Sequence, residues 1–198
     1  MAALPHPLNP FGYKRSCALD EDGILAAIIE RLDPPHYFVE FGAHCNQSNC
    51  LHLYRQGWNG LFMDASQQDK PIKQEWITPG NINELLDKYQ VPDSFGVLSI
   101  DIDGQDILVW QAIKHAPPIV VIEYNPHLPS DQIIFPVRND AFQVTDRTYG
   151  CTLLALKQVG GEKGYTLVYA NVDAFFVRTD CFDNPADFAL VQCSYDGH

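Results

Sequence analysis

Short apolar runs alternate with amphipathic helical stretches along most of the chain. The most restrictive run is Ile-Val-Val-Ile at 119–122, which is β-branched at every position and apolar on both faces. A strand of this kind is typical of the centre of a parallel sheet that helices cover on both sides. Because parallel strands need long crossovers, which helices usually supply, the alternation predicts a doubly wound α/β fold.

The same patterns predict the approximate bounds of the elements. Helices are predicted at 21–32, 49–56, 82–88, 106–114 and 151–159. Strands are predicted at 37–41, 60–64, 74–78, 95–102, 119–122, 165–170 and 174–178. Only three residues separate the last two runs, so we expect them to form an antiparallel hairpin at the end of the sheet.

The length of the chain favours one domain. With 198 residues, the chain is long enough for a full hydrophobic core but short for two domains. We therefore expect a single domain over 1–198, with an N-terminal arm over 1–19. The long segment 125–150 contains three prolines and is predicted to form a lid or a substrate loop. Its Arg138 and Arg147 would suit an acidic group on the substrate.

The charge balance excludes several kinds of partner. Lys and Arg number 13 and Asp and Glu number 25, so the formal net charge is −12. Such a surface repels phosphate backbones and anionic lipids, which argues against nucleic-acid and membrane partners. No apolar run approaches the roughly 20 residues that span a bilayer, and the first ten residues do not resemble a signal peptide. A cytoplasmic protein with a small-molecule partner is the expectation, and the oligomeric state is left open.

Acidic side chains follow most of the predicted strands. In a doubly wound sheet, ligands bind outside the carboxyl ends of the strands, where these side chains would meet. A carboxylate at the end of a buried strand costs free energy unless a ligand, a cation or hydrogen bonds compensate its charge. The polar residues at these ends are Glu40, Asp64, Asp101, Asp103, Asp106, Glu123, Asn125 and His127. Helix capping is an alternative role for Glu40, Asp64 and Asp106.

Several stretches also resemble one family when they are taken in order. They are Phe-Val-Glu-Phe-Gly-Ala at 38–43, Gly-Trp-Asn-Gly-Leu-Phe-Met-Asp at 57–64, Asn-Ile-Asn-Glu-Leu-Leu at 81–86, Leu-Ser-Ile-Asp-Ile-Asp-Gly at 98–104, Val-Ile-Glu-Tyr-Asn at 121–125 and Ala-Phe-Phe-Val-Arg at 174–178. Over about residues 20–180 the chain resembles the small FkbM-type, S-adenosylmethionine-dependent methyltransferases. This resemblance implies a Rossmann-like methyltransferase sheet with seven mostly parallel strands and a C-terminal antiparallel hairpin.

The resemblance also implies which residues bind S-adenosylmethionine. Glu40 and Gly42 would face the methionine part of the cofactor, and Asp64 would bind the ribose hydroxyls. Asn81 and Ile82 would lie beside the adenine. Asp101 would close the cofactor site from the fourth strand.

The leading hypothesis for function is methyl transfer to a hydroxyl group of a small molecule or sugar. A hydroxyl nucleophile needs a base or a metal ion to help it lose its proton. His127 is the candidate base, and Asp103 is a second candidate catalytic residue. Oxygen ligands suit Mg²⁺, so a divalent metal ion is predicted to bind Asp101, Asp103, Glu123 and Asn125.

The loop after Gly42 favours a second hypothesis. It has no second glycine before residue 49, and His44 and Cys45 lie where the resemblance implies that the cofactor passes. His44, His127 and a rim carboxylate would suit Fe(II) or another transition metal in a metalloenzyme that is not a methyltransferase. A binding protein with a decayed site is a third hypothesis.

Overall fold

The computed structural model describes residues 21–45, 48–66, 70–136 and 149–181. The expected N-terminal arm over 1–19 lies outside these residues. Most of the second half of the expected lid also lies outside them, including Arg138 and Arg147. None of the described helices is long and apolar enough to cross a membrane.

Seven strands form a single mixed sheet in the order β3-β2-β1-β4-β5-β7-β6. The strands β1 to β5 are parallel, and β7 pairs in the antiparallel direction with both β5 and β6. Their bounds are Tyr37–Phe41 for β1, Asn59–Asp64 for β2, Lys73–Gln74 for β3, Val97–Ile100 for β4, Ile119–Glu123 for β5, Tyr165–Ala170 for β6 and Asp173–Arg178 for β7. The predicted α/β class, mostly parallel sheet and C-terminal hairpin are confirmed.

Within the described residues, five helices cover the two faces of this sheet. They are α1 at Glu21–Leu32, α2 at Leu51–Arg55, α3 at Ile82–Lys88, α4 at Asp106–Ala112 and α5 at Leu153–Glu162, and a short 3₁₀ turn follows at Thr179–Cys181. Apolar residues of α1 and α2 belong to one core cluster, and those of α3, α4 and α5 belong to the other. The sheet is therefore doubly wound, as the alternating pattern predicts.

Side-chain alternation along β1 decides which residue is available for a site. Val39 and Phe41 pack into the core on one face, whereas Phe38 packs into the core on the opposite face. Successive side chains of a strand point to opposite faces, so Glu40 lies on the same face as Phe38. Glu40 is the only charged side chain of this buried strand, and it comes one residue before the strand ends.

Two predicted strands are longer than the observed ones. The predicted strand 74–78 is reduced to Lys73–Gln74, because the chain turns where Thr78 donates its N–H to the side-chain oxygen of Asn81 at 2.8 Å. The predicted strand 95–102 is reduced to Val97–Ile100, because a tight turn begins at Asp101. In this turn Asp103 has a φ of +58°, which no extended strand accommodates.

Candidate functional site

A cavity of about 540 Å³ opens at the carboxyl ends of β1, β4 and β5. This is the edge of a doubly wound sheet at which ligands bind. The cavity is lined by Glu40, Gly42, His44, Ser48, Asn49, Asp101, Glu123, Tyr124, Pro126, His127, Tyr149, Val172 and Asp173. It therefore brings together candidate residues from three strands and from two connecting loops.

Glu40 is held at the cavity floor by the backbone that leads into α2. One carboxylate oxygen accepts the N–H of Asn49 at 2.8 Å, and the other accepts the N–H of Cys50 at 2.9 Å. Burial raises the pKa of Glu40 to about 7, although these hydrogen bonds act in the opposite direction. The capping alternative thus describes one role of Glu40, which anchors the loop after β1.

Gly42 lets the loop after β1 pass directly against the end of β4. Its φ is +74°, a conformation that side-chain-bearing residues rarely adopt. A Cβ atom at this position would lie 1.4 Å from the carbonyl oxygen of Asp101. Only glycine fits here, and the close approach places the loop that carries His44 next to the acidic end of β4.

Three carboxylates lie close together at the ends of β4 and β5. Asp101, Asp103 and Glu123 each offer an oxygen atom, and these atoms lie within 4.8 Å of one another. Within the described part of the chain, no group donates a hydrogen bond to any of the three. Asp101 and Asp103 are exposed, whereas Glu123 is partly buried. We refer to these three residues as the carboxylate cluster.

Desolvation and mutual repulsion raise the pKa values of the carboxylate cluster. Loss of solvent around the carboxyl groups is the larger cause for Asp101 and Glu123, and the charges of neighbouring acids add to it. The pKa of Asp103 is also raised, by desolvation and then by the charge of Asp64. A cation between these groups would relieve the repulsion, so the cluster has the chemistry of a cation site.

Asp106 shapes the turn that carries two members of the cluster. Its carboxylate accepts the N–H of Ile102 at 2.7 Å and the N–H of Gly104 at 2.8 Å. Burial raises the pKa of Asp106, and these hydrogen bonds oppose the increase. Asp106 therefore stabilises the turn from 101 to 104. This is the helix-capping role that was the alternative prediction for this residue.

Asn125 and His127 are joined within the loop that follows β5. The side-chain oxygen of Asn125 accepts the N–H of His127 at 2.9 Å, and its amide group donates to the carbonyl of Tyr149 at 2.8 Å. Asn125 is buried and does not line the cavity, whereas His127 is exposed and does. Asn125 therefore stabilises the loop that contains His127.

The three residues assigned to the adenosine part of the cofactor lie outside the cavity. One oxygen of Asp64 accepts both the N–H of Ser66, at 2.8 Å, and the hydroxyl group of Ser66. Asn81 binds the backbone of Thr78 and Trp76 with its side chain. Ile82 is fully buried in the core. In this structure Asn81 and Ile82 have structural roles, and Asp64 lies at the neighbouring strand end.

Asp173 and Asn49 are two of the lining residues that were not among the sequence candidates. Asp173 begins β7 and pairs with Glu123 at the end of β5. Because β7 runs antiparallel to β5, the start of β7 lies beside the end of β5. Asn49 donates its side-chain amide to Asp173 at 2.9 Å and to Ser99 at 3.2 Å. The predicted hairpin turn at 171–173 contains Asp173, but only the antiparallel pairing of β7 with β5 brings this residue to the acidic edge.

Comparisons of this chain with protein families, with curated proteins and with solved structures give no match. The chemistry of the site must therefore be argued from its own residues. A cavity with several carboxylates, two histidines and two tyrosines suits ligands that are positively charged or rich in hydroxyl groups.

Proposed function

We propose that the protein catalyses S-adenosylmethionine-dependent methyl transfer to a hydroxyl group of a small molecule or sugar, with a divalent metal ion bound at the carboxylate cluster. The observation that carries this proposal is the carboxylate cluster itself, at the edge of a cavity where doubly wound sheets bind their ligands. The seven-stranded sheet with its C-terminal antiparallel hairpin supports the methyltransferase-like fold that the sequence resemblance implies.

The residues of the cavity fit a cofactor with a positive charge. When bound, S-adenosylmethionine supplies an electrophilic methyl group on a cationic sulfonium. Glu40 and Asp101 line the cavity, and a bound cation would favour the ionised forms of these carboxyl groups and gain electrostatic energy from them. Gly42 also lines the cavity and allows the loop after β1 to lie close to the end of β4.

Two groups would act on the acceptor hydroxyl. Asp101, Asp103 and Glu123 would hold a metal ion, which when bound would supply Lewis-acid chemistry that makes the hydroxyl group more acidic. His127 lines the same cavity and would accept the proton. Asn125 fixes the backbone of His127 and therefore positions the base.

Thermal denaturation with added metal ions tests the metal part of this proposal. A metal that binds only the folded protein stabilises it by about 2.7 kcal/mol at a hundredfold excess over Kd. After chelator treatment, Mg²⁺ or Mn²⁺ should raise the melting temperature of the wild type but not of Asp103→Asn or Glu123→Gln. Asp93→Asn, which changes an exposed acid elsewhere, is the matched control. Equal melting temperatures with and without each ion would refute the metal site.

The position of two histidines supports a second candidate function. His44 and His127 line the same cavity as Asp101 and Glu123, so the cavity contains the residue types of a two-histidine, one-carboxylate iron site, although among the described residues only the carboxylate cluster brings its ligand atoms within 4.8 Å of one another. An enzyme of this kind should be stabilised by Fe²⁺ under anaerobic conditions more strongly than by Mg²⁺. His44→Ala should abolish the Fe²⁺ effect if this candidate is correct. The same substitution should leave a Mg²⁺ effect unchanged if the methyltransferase proposal is correct.

Native mass spectrometry with elemental analysis separates these candidates from a binding protein with a decayed site. Protein that retains S-adenosylmethionine or S-adenosylhomocysteine supports the methyltransferase proposal. Iron without either nucleoside supports the second candidate. Neither a metal nor a nucleoside, after incubation with both, would favour the decayed site.

A further inference from the structure

We propose that the side-chain oxygen of Asn49 binds the ammonium group at the amino-acid end of S-adenosylmethionine, and that Asn49 thereby selects cofactors that carry this group. The inference rests on the proposed function and adds a binding residue to the same cavity. Two observations carry it: the hydrogen bonds that fix the side chain of Asn49, and the one polar atom of this side chain that takes no part in them.

Asn49 belongs to a buried hydrogen-bond network that joins three strands. Its backbone N–H donates to Glu40 of β1 at 2.8 Å. Its side-chain amide donates to Asp173 of β7 at 2.9 Å and to Ser99 of β4 at 3.2 Å. Asn49 is only 9% exposed, and Ser99 is fully buried. The side chain of Asn49 is therefore held in one orientation and has little conformational freedom to lose when a ligand binds.

The same network determines which end of the amide group faces Asp173. A carboxylate only accepts hydrogen bonds, so the amide nitrogen of Asn49 faces it and the amide oxygen does not. Reversing the amide group would set two acceptor oxygens against each other. The position of the oxygen is thus as firmly fixed as that of the nitrogen.

The amide oxygen of Asn49 is the atom that the network does not use. Within the described part of the chain, this oxygen accepts no hydrogen bond. Among the described residues, the one fully enclosed side-chain nitrogen or oxygen without a partner is Nδ1 of His115, so the oxygen of Asn49 is not enclosed. Since Asn49 lines the cavity, its oxygen is available to a ligand there.

An available amide oxygen requires a ligand group that donates a hydrogen bond. An ammonium group offers three donors and no acceptor, whereas a hydroxyl group also brings lone pairs of its own. Glu40 and Asp173, the two acids that Asn49 contacts, line the cavity as well and offer further acceptor oxygens. A group that only donates therefore fits this part of the wall better than a hydroxyl group does.

The ammonium group is also the donor that the proposed function brings to Asn49. The ribose hydroxyls are assigned to Asp64 and the adenine to Asn81, and both residues lie outside the cavity. The methionine part is assigned to Glu40 and Gly42, and Asn49 donates directly to Glu40. Of the donors in the cofactor, the oxygen of Asn49 would thus meet the ammonium group.

Two ligands that differ only in this group test the inference. S-adenosylhomocysteine carries the ammonium group, and in its deamino analogue a hydrogen atom replaces it. Both dissociation constants are measured by calorimetry on full-length protein, treated with a chelator so that no metal ion holds the ligand carboxylate. The ratio of the two constants is the preference for the ammonium group.

The wild type should bind S-adenosylhomocysteine more tightly than the deamino analogue. Asn49→Ala should reduce this preference by about tenfold, the scale of one hydrogen bond to a charged group. Asn49→Ser also removes the amide oxygen but keeps a polar group in the buried network. It should show the same reduction, and it serves as the test if Asn49→Ala does not fold.

Asn83→Ala is the matched control. The side chain of Asn83 also joins two elements, because it donates to the carbonyl of Ala112 at 2.9 Å and accepts the N–H of Lys114 at 3.0 Å. Asn83 does not line the cavity. Its substitution should therefore cost stability and leave the preference for the ammonium group as it is in the wild type.

Two results would overturn the inference. One is equal binding of the two ligands by the wild type. The other is an Asn49 variant with the preference of the wild type, because a residue that acts only through the fold weakens both ligands by the same factor. Either result, with S-adenosylhomocysteine still bound by the wild type, would leave the proposed methyl transfer standing. No binding of S-adenosylhomocysteine by the wild type would contradict the proposed function, and this inference with it.

Discussion

At the scale of single residues, the site depends on backbone positions that few side chains tolerate. Gly42 brings the loop after β1 against the carbonyl of Asp101, and Asp103 adopts a φ of +58° in the turn after β4. Unusual backbone conformations of this kind cost stability and persist where the surroundings enforce them. Here they bring the acids of β4 and the loop of His44 to one cavity.

Gly42→Ala should destabilise the protein through both strain and a steric clash. The strain alone costs roughly 1–2 kcal/mol, and the contact with Asp101 adds to it. Chemical denaturation should therefore show a loss of unfolding free energy larger than that of Gly57→Ala. Gly57 also has a positive φ, +93°, but a Cβ atom there would meet nothing within 4 Å. Equal losses for the two variants would show that the close approach to Asp101 does not constrain the fold.

At the scale of elements, the sequence predicted most segments because their patterns are local. The bounds of α1, β1, α3 and β6 agree with the prediction residue by residue. The predicted start of α5 at 151 is two residues early, because Thr152 is the N-cap and accepts the N–H of Ala155. Differences of this size arise from hydrogen bonds at the ends of elements, which apolar periodicity does not report.

Thr152→Ala should weaken the docking of α5 as well as its first turn. The hydroxyl group of Thr152 accepts the N–H of Ile134 at 3.1 Å and donates to the carbonyl of Gln132 at 2.9 Å. Loss of the cap alone costs about 1 kcal/mol, and the two further bonds should increase the loss of unfolding free energy. Thr152→Ser, which keeps the hydroxyl group, should lose clearly less. Similar losses for both variants would assign the effect to the methyl group.

The candidate site was less predictable than the fold. The parallel sheet predicts that acids at the ends of β1, β4 and β5 lie at one edge. Of these acids, the three that follow β4 and end β5 form the carboxylate cluster. The sequence did not indicate that Asn125 would be used inside its loop. Nor did it indicate that Asp173 would join the edge, because that depends on the antiparallel pairing of β7 with β5. These contacts are long-range, and periodicity along one segment does not determine them.

At the scale of the whole molecule, buried acids make stability depend on pH. Burial raises the pKa of Glu40 from its ordinary value of 4.5 to about 7 in the folded protein. Between these two values the unfolded chain has lost this proton and the folded protein still holds it. The folded protein therefore loses stability as the pH rises through this interval, by roughly 3 kcal/mol for Glu40 alone.

Denaturation of the chelator-treated protein should show this loss directly. The unfolding free energy should be lower at mildly alkaline pH than near the ordinary pKa of a carboxyl group, since the acids of the cluster shift in the same direction. Glu123→Gln should reduce the difference, because it removes one of the repelling groups. Glu30→Gln, at an exposed position of α1, should not. A protein that becomes more stable across this interval would contradict the raised pKa values of the acids at this edge of the sheet.

The proposed methyl transfer requires the cavity to bind the cofactor, and calorimetric titration with the product S-adenosylhomocysteine measures this binding. We predict that the wild type binds one equivalent. The resemblance implies that the ribose of the ligand extends to Asp64 at the neighbouring strand end, so Asp64→Ala should weaken binding by about 1.5–3 kcal/mol, the scale of hydrogen bonds to a charged acceptor. Asp93→Ala should bind as the wild type does. No binding by the wild type at millimolar ligand would contradict the account.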